Sequence, residues 1–131
     1  MIVKVHMLAF GSCQIREVDI PDNEWQECTT TEHKLDAVFH WGQNDFQPKP
    51  CPSVSVGDVI ELDGRYHMVE IIGFNRIPNW EEFKKEEARN KLFALETNLM
   101  FVSKYAAGEM KEACESMKRS VEALKGLLTS K

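Results

Sequence analysis

The stretch from Gly42 to Phe74, GQNDFQPKPCPSVSVGDVIELDGRYHMVEIIGF, constrains this chain more than any other part of it. An Asp63-Gly64 pair separates two apolar-rich runs, Val59 to Leu62 and residues 66–72. Asp-Gly supplies the positive φ angles of a type I′ turn, whose twist matches that of two antiparallel strands. The segment therefore predicts a β-hairpin. Upstream, residues 47–52 contain three prolines and so lack three backbone donors, which makes this run an extended surface connection rather than a central strand. It leads through Ser53-Val54-Ser55-Val56 to Gly57-Asp58, which introduces the hairpin.

Ahead of this segment, residues 2–8 (IVKVHML) are β-branched and roughly alternating, the pattern of a strand. Gly11-Ser12 supplies a turn, and Ile15, Val18 and Ile20 suggest a second strand ending at Pro21-Asp22. Thr29-Thr30-Thr31-Glu32 reads as a Thr-x-x-Glu capping box. Leu35, Val38 and Phe39 then fall at helical spacing, and Gly42 is placed to serve as a left-handed C-cap. A short helix of about three turns is expected to pack on the sheet.

From Asn79 the character changes. Asn79 with Glu82 forms a second capping-box-like start, and Glu81 and Glu82 complement the helix dipole. Leu92, Leu95, Leu99, Val102, Ala106, Met110, Ala113, Met117, Val121, Leu124 and Leu128 then recur every three or four residues. The period stays close to 3.6 with no reset at Gly108, which predicts one long helix of about 70 Å, a helical hairpin being the alternative. Phe93, Met100, Phe101 and Tyr105 add a second apolar side. So large an apolar surface implies self-association, with Leu92, Leu95, Leu99, Val102, Met110, Met117, Val121 and Leu124 as the oligomerisation seam. The expected fold is α+β: a small, mainly antiparallel sheet of four or five strands with one short helix over residues 1–78, then a helical extension over 79–131.

Composition narrows the function classes. Residues 1–78 carry 6 Lys and Arg against 12 Asp and Glu, and residues 79–131 carry 10 against 9. An acidic N-terminal half argues against broad nucleic-acid binding, which needs clustered cations, but leaves room for a small anion held by one or two arginines. There is no charged-then-apolar N-terminal signal and no apolar run long enough to span a bilayer. Cys13, Cys28, Cys51 and Cys114 are scattered without paired spacing, as expected of reduced thiols in a soluble cytoplasmic protein with no membrane partner.

Candidate chemistry is sparse. Cys28, His33, His40 and Cys51 share one segment but lack close-paired zinc spacing; His33 and His40 lie two helical turns apart. No metal and no other cofactor is expected. Ser53, Ser55 and Ser103 lack a nucleophile-elbow context, and no cysteine stands in a catalytic signature. Asp45 and Asp58 are candidate paired carboxylates for a small hydrolase, although aspartates beside glycine commonly close turns. No glycine pattern fits a phosphate loop. The cluster Trp41, Gln43, Asn44, Asp45 and Phe46 suits a flat polar ligand, stacking on the aromatics and bonded at its edge by the amides. The simpler reading is that Trp41 and Phe46 are core residues while Asn44 and Asp45 close a turn. Arg65 and Arg76 are the phosphate contacts if that ligand is nucleotide-like.

The string GQNDFQPKPCPSVSVGDVIEL, followed by Tyr66, Val69 and Gly73-Phe74, resembles small proteins of the YodL-like type from phages and bacterial accessory genomes. The similarity covers residues 35–77. It brings no catalytic mechanism and implies an accessory-genome, phage-borne context. The helical extension lies outside it and reads as an added oligomerisation or partner-binding arm. The expected function is thus a non-enzymatic binding protein, a host-defence antagonist by analogy, which captures a nucleotide-like small molecule and assembles with itself. The alternatives are an adaptor or inhibitor acting on a host protein through the helices, and a small hydrolase using Asp45 or Asp58 with a histidine.

Overall fold

In the computed structural model, which describes residues 1–11, 13–47 and 51–129, the chain divides into two units, Met1–Pro78 and the segment from Asn79 onward. The first unit is built on five strands: β1 (Ile2–Met7), β2 (Gln14–Asp19), β3 (Val59–Leu62), β4 (Arg65–Val69) and β5 (Phe74–Ile77). They form one sheet in the order β2-β1-β3-β4-β5, every neighbouring pair antiparallel. Alternation along β1 sends Val3, Val5 and Met7 to one face, joined there by Val18, Ile60, Leu62 and Val69 from the other strands. Leu35 and Val38 of helix α2 (Thr31–Trp41) and Val54 of the chain before β3 cover that face. The expected hairpin forms: Asp63 and Gly64 have φ of 51° and 74°, and Leu62 pairs with Arg65.

Several expectations need correction. The strand read over residues 66–72 ends at Val69, where a turn closed by the Glu70 N–H donating to Gly73 O (3.1 Å) exposes Ile71 and Ile72 before β5 begins. Those two isoleucines mimic a strand in sequence but sit at a loop tip. A helix α1 (Asp22–Gln26) follows β2, so the described residues of this unit form two short α-helices rather than one. Five residues are too few to show a period. The cap of α2 is Thr30, not Thr29: its hydroxyl accepts from the His33 N–H at 3.1 Å. Gly42 is not left-handed (φ −75°); its lack of a side chain serves close packing, since a Cβ there would lie 2.5 Å from Val54 Cγ2. The turn at Ser12 and the proline run at residues 48–50 lie outside the described residues.

The second unit is a helical hairpin, so the single long helix is not formed. Helix α3 (Trp80–Tyr105) starts as expected, with Asn79 Oδ1 accepting the Glu82 N–H at 3.1 Å. It stops at Ala106, whose ψ of 158° is extended, and Gly108 at φ +60° turns the chain into α4 (Glu109–Thr129). The two helices run antiparallel: Lys125 Nζ lies 3.1 Å from Glu96, Ser103 Oγ donates to Glu115 at 2.9 Å, and Arg89 donates to Leu128 O at 3.3 Å. An unbroken apolar period concealed the turn because each helix needs its own stripe to face the other. Among the described residues no helix is long and apolar enough to cross a membrane.

Candidate functional site

Arg65, His67 and Val69 alternate onto the helix-covered face of β4, where the register pairs Leu62 with Arg65, Ile60 with His67, and His67 with Arg76 of β5. A buried histidine thus sits between the exposed Arg65 and the core residue Val69, with aliphatic Ile60 beside it on β3. The N-terminal end of α2 approaches the same region, and a cavity of about 280 Å³ opens between them, lined by Thr31, Leu62, Asp63, Arg65 and His67. His67 is only 7% exposed, and its Nε2 is buried with no hydrogen-bond partner among the described residues. Such an orphaned polar atom is costly unless a ligand or solvent satisfies it.

The electrostatics follow from the pairing. Burial, then the Arg76 and Arg65 guanidiniums, holds the His67 imidazole below its ordinary value and favours its neutral form. Both arginines are exposed, and neither is paired with a carboxylate among the described residues. The positive end of the α2 dipole adds to them. One opposing carboxylate is near, since Asp63 also lines the cavity. Arg65, the His67 imidazole and Thr31 at the start of α2 border the cavity, with Arg76 beside His67 across the β4–β5 pair, a set of groups suited to a small anion.

The aromatic-amide cluster lies at the other end of α2, about 15 Å along its axis from Thr31. The geometry therefore does not bring Trp41, Gln43, Asn44, Asp45 and Phe46 together with Arg65. Gln43 Nε2 donates to Phe39 O (2.8 Å) and Val54 O (3.1 Å). Asn44 Oδ1 accepts the Cys51 N–H at 2.9 Å, and the Asn44 N–H donates to Ser53 Oγ. Phe46 stacks on His40 with ring centres 4.6 Å apart, while Trp41 meets both rings edge-on. Trp41 and Phe46 also line a shallow depression with Asp19 and Pro21. Asp45 is exposed in a short 3₁₀ turn, Asn44–Phe46. The amides close the turn that carries the chain from α2 toward β3.

Asp58 is likewise spent on architecture. It is 1% exposed, and its two oxygens accept the Ala9 N–H at 2.9 Å and the Ser55 N–H at 2.8 Å. Cys28 Sγ contacts the carbonyls of Glu24 and His33, and among the described residues no three His, Cys, Asp or Glu side chains converge to hold a metal ion. In the hairpin unit Leu99 and Val121 are buried and Leu92 is half-buried, whereas Leu95, Val102, Met110, Met117 and Leu124 are exposed.

Sequence reasoning missed His67 and Thr31. The period-two run Arg65-x-His67-x-Val69 carries the signal, because Val69 marks the core face and puts the other two beside it. Arg16 was also missed; its Nη1 donates to Gly42 O and to Pro52 O, clamping the end of α2 to the strand that precedes it. No family model, no curated protein and no solved structure matches the chain.

Proposed function

We propose that the protein is a non-catalytic binding protein that captures a small phosphorylated, nucleotide-like anion at Arg65, His67 and Arg76. The observation that carries this reading is His67: a buried imidazole whose Nε2 has no partner among the described residues, set beside two guanidiniums and open to a cavity. A volume of about 280 Å³ is at the small end of ligand sites and suits a phosphate with its adjoining sugar rather than a dinucleotide. The hydrolase alternative has less support, since both Asp58 oxygens already accept backbone N–H groups. The free thiols fit a cytoplasmic setting. In the phage-borne context that the resemblance implies, such capture would blunt a nucleotide-signalled host defence.

Calorimetric titration with AMP, and separately with inorganic phosphate, tests the reading. Charge-assisted hydrogen bonds contribute roughly 1.5–3 kcal/mol each, so Arg65→Ala or Arg76→Ala should weaken binding at least about tenfold. Gln43→Ala should leave it unchanged. Failure of the wild type to bind either probe at millimolar concentration, or equal binding by the arginine variants, would overturn the proposal.

A further inference from the structure

The apolar positions of the hairpin follow a heptad more closely than a 3.6 period. Helix α3 places them at 92, 95, 99 and 102, and α4 at 110, 114, 117, 121, 124 and 128, with steps alternating between three and four. Only part of this set is used inside the hairpin. Leu99, Cys114 and Val121 are buried at the α3–α4 contact, with Leu92 and Leu128 half-buried beside them. The remaining positions stay open: Leu95 45%, Val102 44%, Met110 63%, Met117 52% and Leu124 49% exposed.

These five fall on one side. In each helix they are rotated in the same sense from the residues at the contact, and because the helices are antiparallel that rotation carries both sets to the same side of the hairpin. Between residues 91 and 102 the α3 edge of this face carries Lys91 and Asn98, with Lys84 further toward the start of the helix, and the α4 edge carries Ala113 and Ser120. The ion pairs Lys125–Glu96, Lys118–Glu115 and Lys125–Glu122 lie toward the opposite side. A two-helix unit with one closed and one open half of a heptad seam has the surface of half a four-helix bundle.

We infer that this open face is covered by the same face of a second copy, two hairpins packing about a two-fold axis into a four-helix bundle. A two-fold contact is self-complementary, so one patch suffices for both partners. Pairing five half-exposed large side chains with their symmetry mates removes on the order of 1,000 Å² in total, the size at which specific protein interfaces begin. The open residues Met110, Met117, Leu95, Leu124 and Val102 continue the same heptads whose other members already interlock, so the second contact extends an established packing pattern. This inference is independent of the anion site.

Sedimentation velocity on the full chain at micromolar concentration is the test. The expected species is twice the 15.1 kDa chain mass. The double variant Met117→Glu, Leu124→Glu should raise the dissociation constant by at least about a hundredfold while helical circular dichroism is retained. If that variant loses its helices, the milder Met117→Gln replaces it, with a tenfold or greater weakening expected. Phe101→Glu, on the other side of α3, should leave the dimer intact. A monomeric wild type, an assembly larger than two, or a dimer indifferent to a folded Met117 variant would each overturn the inference.

Discussion

The Asp58 carboxylate joins two backbone segments by accepting the Ala9 N–H through Oδ1 at 2.9 Å while its Oδ2 accepts the Ser55 N–H at 2.8 Å. A fully buried carboxylate is tolerated here because amide donors replace its hydration. It fixes the loop after β1 against the chain entering β3, and the neighbouring Gly57 N–H is in turn donated to Val69 O at 2.9 Å. A side chain read from sequence as a potential catalytic acid is thus a keystone of the sheet.

Asp58→Ala leaves two amide donors without their acceptor, and hydrogen bonds to a charged group contribute roughly 1.5–3 kcal/mol each. Urea unfolding should show a loss of about 3 kcal/mol or more, with Asp58→Asn intermediate because its amide offers one acceptor oxygen instead of two. A loss below about 0.5 kcal/mol, in the range of ordinary surface substitutions, would refute the structural role.

Gly42 tests close packing separately from backbone conformation. Its φ of −75° suits any residue, so Gly42→Ala meets no torsional penalty. The added Cβ would instead stand 2.5 Å from Val54 Cγ2 and 2.7 Å from Val38 O. Overpacking of this kind costs typically about 1–3 kcal/mol. Adding Val54→Ala relieves only the side-chain contact and leaves the one with Val38 O, so the double variant should recover only part of the loss. Thermal melts of the single variant unchanged from wild type would contradict this packing.

How much of this was legible in the sequence depended on which signals were local. The Asp63-Gly64 turn, the strand read over residues 2–8 and the Asn79 cap rest on neighbours in the chain, and the structure forms all three, the strand ending one residue earlier at Met7. The break at residues 106–108 left no mark in the apolar period, because two antiparallel helices each maintain a stripe. Arg65 and Arg76 stood out as cations in an acidic half, but their meeting at His67 depends on the β4–β5 register. That register was invisible because Ile71 and Ile72 disguised the turn as more strand. Gln43 and Asn44 looked available for a ligand since side-chain amides do not announce that backbone groups brought close by the fold will consume them.

His67 makes stability depend on pH in a direction that can be worked out. Burial and the Arg76 and Arg65 charges lower its folded-state value below the ordinary 6.5 of the unfolded chain. Between those two values the unfolded state binds more protons, so stability rises with pH there and is lost as pH falls below about 6.5. His67→Gln removes this contribution. Comparing wild type and His67→Gln by urea unfolding from pH 7.5 down to 5 should show a steeper fall for the wild type. Parallel curves would mean that the imidazole is not held neutral by its surroundings.

Gly108→Ala distinguishes the hairpin from a continuous helix by the sign of its effect. At φ +60° an alanine is strained, and no heavy atom within 4 Å would touch its Cβ, so backbone conformation alone decides the outcome. In the hairpin the substitution should destabilise by about 1 kcal/mol, and Gly108→Asn, which tolerates the left-handed region better, by less. If α3 and α4 were one helix, the same alanine would stabilise by about 1 kcal/mol, since glycine is the poorer helix former. Urea unfolding extrapolated to zero denaturant measures this difference directly. A gain in stability would place Gly108 inside a helix, leave Leu99 and Val121 without each other's helix as cover, and remove the two-helix face on which pairing with a second copy depends.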